Sequence, residues 1–185
     1  MSLIAPVAAF ALRPLSEVPP GSLVLLERPV EIAQGQGSQG PFLVISCTDS
    51  HPFGLVGLEQ GAAHRMMSFT PQEVARVRTI VVHRGLDLML APRATPVRAD
   101  TFRVDFYGGI CVTADGPFWA VTERGNFAQE QMLRFVSFAT YATVALDGDT
   151  YANAPWLNDW SLSRAGLAPG ERIAVSEFAP PVMAR

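Results

Sequence analysis

The sequence divides its apolar residues into many short runs bounded by turn-forming residues, and this division restricts the fold more than any other feature. The clearest run is TFRVDFY (101–107), in which Phe102, Val104 and Phe106 alternate with polar residues, as the two faces of a half-buried strand require. The pattern predicts roughly ten short strands in a mainly β fold, an antiparallel sandwich or barrel with one or two short helices. The alternative is an α+β fold.

Further runs that are predicted as strands share β-branched and other apolar residues and end at turn signals. They are SLVLLER (22–28), PFLVISC (41–47), FGLVGL (53–58), TIVV (79–82), LDLML (86–90), ICVT (110–113), FWAVTE (118–123), WSLSR (160–164) and ERIAVSEF (171–178), of which the last two are expected to pair. Residues 33–40 and 146–155 are predicted as loops, the first of them Gly-rich and mobile. Gly108-Gly109 is predicted as a type I′ turn inside a meander over residues 101–122, because that turn needs positive φ at both positions.

Two segments carry helix-start signals. Thr70 suits a cap, Pro71 suits the first turn and Glu73 completes a capping box, so a short helix is predicted there. Asn126 begins a similar pattern, but the residues after it have the composition of a strand. Helix and strand therefore both stay open for residues 127–145.

The composition indicates one domain with a partly covered surface. The 185 residues are predicted to form an apolar N-terminal arm over residues 1–20 and a single β-rich domain over residues 21–185. Only 17% of residues are charged, against a usual share of roughly 25%. A chain with so little charge is expected to bury part of its surface in a homo-oligomer. The first twelve residues carry no charge, so we expect the arm to dock on a hydrophobic surface.

Charge and N-terminal sequence exclude several kinds of partner. The net charge of −3 and the isoelectric point near 5.6 argue against nucleic acid as the main partner. The apolar N-terminus lacks a basic region before it and contains Pro6, so no cleaved signal peptide is predicted. That apolar segment is also too short to span a membrane. The expected location is the cytoplasm or a virion.

The stretch ISCTDSHP (45–52) contains the strongest candidates for chemistry. Cys47, Asp49 and His51 occupy alternate positions, so a strand running through them would place a thiol, a carboxylate and an imidazole on one face. Metal ligands converge within about 2.0–2.3 Å of the ion, whereas same-face residues lie about 7 Å apart along a strand. Joint ligation would require a bend. The interpretation that we favour is the exit of a buried strand, because Asp and Ser are ordinary turn residues.

Other candidates are weaker. His64 is a further candidate catalytic residue, and Cys47 and Cys111 are expected to be free thiols, with a disulfide left open. The Asp147-Gly148-Asp149 segment resembles the start of a calcium loop but lacks its later ligands. No metal and no other cofactor is predicted. An aromatic set is expected in the core or at an interface, with ligand stacking as the alternative; its members are Trp119, Tyr151, Trp156 and Trp160.

Two functions are compatible with these observations. The leading hypothesis is a non-enzymatic assembly protein that forms a homo-oligomer, such as a virion-like or shell-like component. The alternative is a small β-barrel enzyme or binding protein that acts on an apolar small molecule through Cys47, Asp49 and His51. No catalytic motif is present to favour the enzyme, since no nucleophile elbow occurs.

Overall fold

A computed structural model describes eight parts of the chain, which are residues 12–33, 36–58, 64–84, 86–90, 108–124, 131–157, 160–164 and 176–177. The fold is mainly β, as the sequence predicts. The strands are β1 (Leu12–Pro14), β2 (Ser22–Leu26), β3 (Val30–Ala33), β4 (Gln36–Ser38), β5 (Phe42–Thr48), β6 (His51–Gly57), β7 (Arg65–Phe69), β8 (Arg78–Arg84), β9 (Leu86–Leu90), β10 (Ile110–Thr113), β11 (Gly116–Arg124), β12 (Gln131–Ser137), β13 (Ala142–Val144), β14 (Trp156–Leu157), β15 (Trp160–Arg164) and β16 (Ser176–Glu177). The helices are α1 (Pro71–Val74), α2 (Gly148–Asn153) and a 3-10 helix at Leu15–Glu17.

Six strands close into a barrel that consists of two three-stranded antiparallel meanders. The first meander is β5–β6–β7 and the second is β11–β12–β13. Two parallel pairings join the meanders: β7 meets β11 at Arg65 and Thr122, and β13 meets β5 at Ala142 and Ser46. Of the two architectures that the sequence predicts, the chain adopts the barrel.

The strands β5 and β11 also pair with strands outside the barrel, so the sheet extends beyond it. One edge of β5 bonds to β2 near the start of the strand and to β13 near its end. In the same way, β11 bonds to β10 near its start and to β7 near its end. The first extension continues through β8 to β1, and the second continues to β14.

The barrel interior is a closely packed core in which alternate residues of each strand face inward. Leu43 and Ile45 of β5 meet Trp119 and Val121 of β11 there, and all four are fully buried. Leu162 of β15 packs into the same core. The strand β15 belongs to a separate three-stranded sheet with β9 and β16, so the predicted pairing of the two C-terminal strand segments is confirmed over the described residues.

Two further cores cover the outer faces of the barrel. On one face, Leu15 and Val18 pack with Phe42 and Val74, so residues from the segment predicted as an arm are buried against the domain. On the other face, Phe135 packs with the partly buried Tyr151 of α2 and with other residues. The rest of the predicted arm, residues 1–11, lies outside the described residues.

The helix α1 begins with the predicted capping box. The Thr70 hydroxyl accepts a hydrogen bond from the Glu73 backbone N–H at 3.3 Å, and a Glu73 carboxylate oxygen accepts one from the Thr70 N–H at 2.9 Å. Pro71 occupies the first turn, and Val74 anchors the helix in the second core. The helix is short, as predicted from the β-branched segment that follows it.

Three local predictions were wrong. Residues 36–38 form β4, which pairs with β3, instead of an irregular loop. Residues 148–153 form α2 instead of a loop, because the Asp147 side chain caps the helix by accepting from the Thr150 N–H at 2.8 Å. Gly108-Gly109 is not a type I′ turn, since φ is +91° at Gly108 but not positive at Gly109.

Two predictions that concern the second half of the chain have a mixed outcome. Residues 127–145, for which both helix and strand were predicted, contain the strands β12 and β13 where the structure describes them. The predicted meander is present as the β10–β11 hairpin, whereas residues 101–107, with Phe102, Val104 and Phe106, lie outside the described residues. The described helices α1 and α2 are both far too short to cross a lipid bilayer.

Candidate functional site

A cavity of about 550 Å³ opens at one end of the barrel. The strand ends converge there: Cys47 lies at the end of β5, His51 at the start of β6, Glu123 at the end of β11 and Met132 at the start of β12. The volume lies within the range of about 300–1,000 Å³ that small-molecule sites usually have. The cavity therefore has the size and the position of a barrel-mouth binding site.

Glu123 is placed in this cavity by the alternation of β11. Trp119 and Val121 face the barrel interior, and the same period of two directs Glu123 inward one step nearer the open end. The register sets Met66 of β7 on one side of Glu123 and Met132 of β12 on the other. The Glu123 side chain is only 14% exposed, so its charge needs partners.

Two side chains supply those partners. The Ser68 hydroxyl donates to Oε1 of Glu123 at 2.8 Å, and Nε–H of Arg134 donates to Oε2 at 2.7 Å. The bond from Arg134 has the length of a charge-assisted hydrogen bond, and the bond from Ser68 has that of an ordinary O–H···O hydrogen bond. Glu123, Ser68 and Arg134 are called the mouth triad below. Each of its members is on a different strand, so the barrel itself fixes their relative positions.

Arg134 is the most accessible member of the mouth triad. Its side chain is 44% exposed and lines the cavity. An arginine has five N–H donors, and within the described part of the chain Nε–H is the Arg134 donor that bonds to a protein acceptor. The terminal Nη groups are left to meet water or a ligand.

Cys47 lines the cavity as an unreactive thiol. It is not in a disulfide, and neither is Cys111, which confirms the expectation of free thiols. Burial raises the pKa of the Cys47 thiol to about 12, and the negative charge of Glu123 acts in the same direction. A thiol nucleophile must be a thiolate. Cys47 is therefore protonated at neutral pH, which argues against its use as a nucleophile.

A glycine opposite Cys47 leaves room for the thiol. Gly54 of β6 pairs with Ile45 of β5. A Cβ atom at Gly54 would lie 2.6 Å from Sγ of Cys47 and 2.9 Å from Cγ1 of Ile45, which is closer than real carbon contacts. A side chain at this position would collide with Cys47 and Ile45, so glycine is what allows the thiol to take its place beside the cavity.

The three candidates in ISCTDSHP are divided by a turn. The strand β5 ends at Thr48, Asp49 and Ser50 form the turn, and His51 begins β6 opposite Thr48. Cys47 and His51 both line the cavity, whereas Asp49 is exposed and does not line it. The His51 Nδ1 atom lies 3.1 Å from the Ser50 hydroxyl. The segment is thus the exit of a buried strand, and it contributes two of its three candidates to one cavity.

His64 does not line the barrel-mouth cavity. It lies before β7 with a φ of +64°, and its ring meets that of Trp119 edge-on at 5.8 Å. Burial lowers the pKa of His64 to about 4. A Cβ atom at Gly108 would lie 2.4 Å from Nε2 of His64, so only glycine allows this approach. The contacts of His64 indicate a core histidine that is neutral at physiological pH.

The aromatic set that the sequence singles out belongs to the core. Trp119, Trp156 and Trp160 are all 2% exposed or less. Trp119 and Trp160 pack with Phe138, and Nε1–H of Trp160 donates to the Gly108 carbonyl at 2.6 Å. No face of these buried rings is open to a sugar or another stacking ligand, so the core interpretation is the one that their burial supports.

Sequence reasoning missed the mouth triad. The alternation in FWAVTE (118–123) would have placed Glu123 on the same face as Trp119, which is an unusual position for a carboxylate. No comparable signal pointed to Arg134, because the sequence pattern of residues 127–145 fits a helix and a strand equally well. Ser68 joins from a third strand, and only the barrel closure brings it near.

Neither the arrangement of possible metal ligands nor similarity to known proteins indicates a function for this cavity. Among the described residues, no group of three or more His, Cys, Asp or Glu side chains is arranged to hold a metal ion. The candidate site is therefore described by its geometry alone, as a barrel with an ion pair at its open end. Comparisons of the chain with protein-family models, with curated proteins and with solved structures found no match.

Proposed function

We propose that this protein binds a small amphipathic molecule in the barrel-mouth cavity and does not transform it. The observation that carries the proposal is the mouth triad, a partly buried charged network at the open end of an otherwise apolar barrel. Such a network destabilises a core unless every member is satisfied. A purely apolar lumen would suffice for stability, so the polar end is better explained by a ligand than by the fold.

Amphipathic character follows from what lines the cavity. Arg134 and His51 present polar groups, while Met66 and Met132 present thioether side chains. A wholly apolar ligand would displace water from Arg134 without replacing its hydrogen bonds, at a cost of about 1–3 kcal/mol for each unsatisfied group. A ligand with one polar end and one apolar end matches both sets of residues.

Binding without chemistry is supported by the state of the candidate groups. Cys47 holds its proton, and both oxygens of Glu123 already accept hydrogen bonds. A general base must lie within hydrogen-bond reach of the substrate proton, and Glu123 is directed toward Ser68 and Arg134 instead. Asp49 is outside the cavity and His64 is in the core, so neither assists.

The proposal is tested by locating a ligand. We expect small amphipathic fragments to shift the backbone amide resonances of Cys47, Glu123 and Arg134 in heteronuclear NMR spectra. Ala145→Trp places a bulky ring at the exposed rim of the cavity and should abolish these shifts. Ala139→Trp, also exposed but away from the cavity, is the matched control and should leave them intact. Shifts that map elsewhere, or that survive Ala145→Trp, would refute the proposal.

Assembly into a homo-oligomer is the second candidate function. It is favoured by two exposed apolar side chains at the free edge of the extended sheet, Leu12 of β1 and Val82 of β8, which are 40% and 44% exposed. They line a broad apolar groove together with Leu25 and Ile80. Apolar patches of this kind often mark contacts between subunits, so the occupant that we propose is a second copy of this chain.

A further inference from the structure

We propose that the ligand of the barrel-mouth cavity is a small carboxylate, held by the Nη groups of Arg134 with its apolar chain against Met66 and Met132. The inference rests on the proposed function, since it names the class of molecule that the same cavity binds. Three features of the described residues lead to it: the unused donors of Arg134, its ion pair with Glu123, and the two methionines that line the cavity.

The donor count favours a ligand that brings acceptor oxygens. Arg134 directs Nε–H to Glu123, which leaves four N–H donors on a side chain that lines the cavity. A guanidinium and a carboxylate match in geometry, because two parallel N–H groups meet two oxygens. A carboxylate thus satisfies two donors with one group, which neither an alcohol nor an amine does.

The ion pair of Glu123 with Arg134 disfavours a cationic ligand. Glu123 is the carboxylate that lines the cavity, and its two oxygens already accept from Ser68 and Arg134. An ammonium group that bonded to a remaining lone pair of Glu123 would lie beside the guanidinium charge of Arg134. Like charges at such a distance repel, which disfavours an amine, whereas a carboxylate at the opposite edge of the guanidinium would be separated from Glu123 by the guanidinium itself.

Glu123 is a positioning residue for this interaction. Its bond to Nε fixes one edge of the planar guanidinium, and Ser68 in turn fixes the carboxylate. The opposite edge of the guanidinium then has a defined direction before any ligand arrives. Preorganised donors lose less entropy on binding than mobile ones do.

The apolar part of the ligand has a wall prepared for it. Met66 and Met132 flank Glu123 on the neighbouring strands, and Met132 is 40% exposed although its strand position faces the barrel mouth. Methionine side chains adapt to irregular apolar shapes. An exposed methionine beside a salt bridge is accounted for by an aliphatic chain that covers it in the complex.

The test compares three ligands of equal length that differ in the head group, namely hexanoate, hexanamide and hexylamine. Binding to the full chain is measured at pH 7 by titration calorimetry and by NMR. We expect hexanoate to bind at least about tenfold more tightly than hexanamide, because one charge-assisted interaction of about 1.5 kcal/mol corresponds to that factor. Hexylamine should bind more weakly still.

Variants assign the preference to Arg134. Arg134→Gln should remove the difference between hexanoate and hexanamide, and Arg134→Lys should keep part of it, because Lys retains the charge without the paired donors. Arg13→Gln, an exposed arginine on β1 away from the cavity, should change nothing. Arg134→Lys also keeps a positive charge beside Glu123, so it remains informative if Arg134→Gln folds poorly.

The outcomes separate this inference from the function on which it rests. Equal binding of hexanoate and hexanamide, or tighter binding of hexylamine, would overturn the carboxylate assignment while leaving a ligand site in place. A preference for hexanoate that persists in Arg134→Gln would also overturn it. If none of the three binds but other fragments shift resonances at Cys47 and Glu123, the cavity is a ligand site and its ligand is not a carboxylate.

Discussion

Glu123 has effects on two neighbours, and both follow from its position at the inner face of β11. It holds one edge of the Arg134 guanidinium, and it adds a negative charge near the Cys47 thiol. Burial is the larger cause of the raised pKa of Cys47, and Glu123 is the second, while Arg134 acts in the opposite direction. The pKa of the Cys47 thiol therefore depends on the charges of Glu123 and Arg134 as well as on burial.

The first prediction uses this sensitivity. Glu123→Gln should lower the pKa of Cys47 from about 12, because the variant removes a negative charge and leaves the positive charge of Arg134. Alkylation by iodoacetamide between pH 7 and pH 10, in a Cys111→Ala background, should then become several-fold faster and titrate at lower pH. Asp49→Asn removes an exposed carboxylate outside the cavity and serves as the control. Identical pH profiles for the two variants would show that Glu123 does not influence the thiol.

At the scale of elements, the strands that alternate or carry turn residues at both ends were predictable from the sequence. Strands β5, β6, β8 and β10 lie where the apolar runs predict them. The hairpin β3–β4 was not predictable from its side chains, since glycine-rich strands have no hydrophobic period and are held by backbone hydrogen bonds. The helix α2 was missed because Asp147 was considered only as a calcium ligand and not as a cap.

The site was less predictable than the fold for a physical reason. Cys47 and His51 were identifiable because they are close in sequence, and the structure places both at one cavity. The mouth triad depends on three strands whose contacts are set by tertiary pairing alone. Local patterns define which face a residue takes, but they do not define which strand lies beside it.

The second prediction concerns α1, whose start depends on one side chain. Thr70→Ala removes the hydroxyl that accepts from the Glu73 N–H and should lower the free energy of unfolding by about 1 kcal/mol. Thr70→Ser keeps the hydroxyl and should retain most of the stability. Urea unfolding followed by circular dichroism measures both. An alanine variant as stable as the parent would mean that Pro71 and the packing of Val74 are sufficient to hold the helix.

At the scale of the whole molecule, the low charge of the chain and its exposed apolar edge lead to the same expectation. Leu12 and Val82 are exposed on neighbouring strands, and the first eleven residues, whose structure is not described, add no charged group to the N-terminus. A second copy of the chain at this edge would bury the apolar groove. The apolar groove and the barrel-mouth cavity share no lining residue, so the two proposals are compatible.

The third prediction is therefore the mass in solution. Static light scattering at micromolar concentration should give a multiple of the 20.0 kDa chain mass. Val82→Arg should reduce it toward one chain, because a charge at the centre of an apolar contact is costly. Met132→Arg introduces the same charge at a side chain of similar exposure, but at the cavity, and should leave the mass unchanged. A parent that scatters as a single chain contradicts the assembly hypothesis.

The two parallel strand pairings that close the barrel, β7 with β11 and β13 with β5, have a consequence for how the chain folds. Each meander joins strands that are close in sequence, so it can form early. The pairing of Ser46 with Ala142 joins residues that are far apart in sequence, and it is expected to form later because closing a long loop costs more entropy. Until this pairing of β5 with β13 forms, Trp119 and Val121 are not enclosed by a complete barrel. We expect the burial of Trp119 to be a late step in refolding, which stopped-flow fluorescence would resolve as a phase slower than the formation of β-structure. A nascent chain would therefore expose the apolar residues of the barrel interior until the two meanders meet, and such exposure favours aggregation.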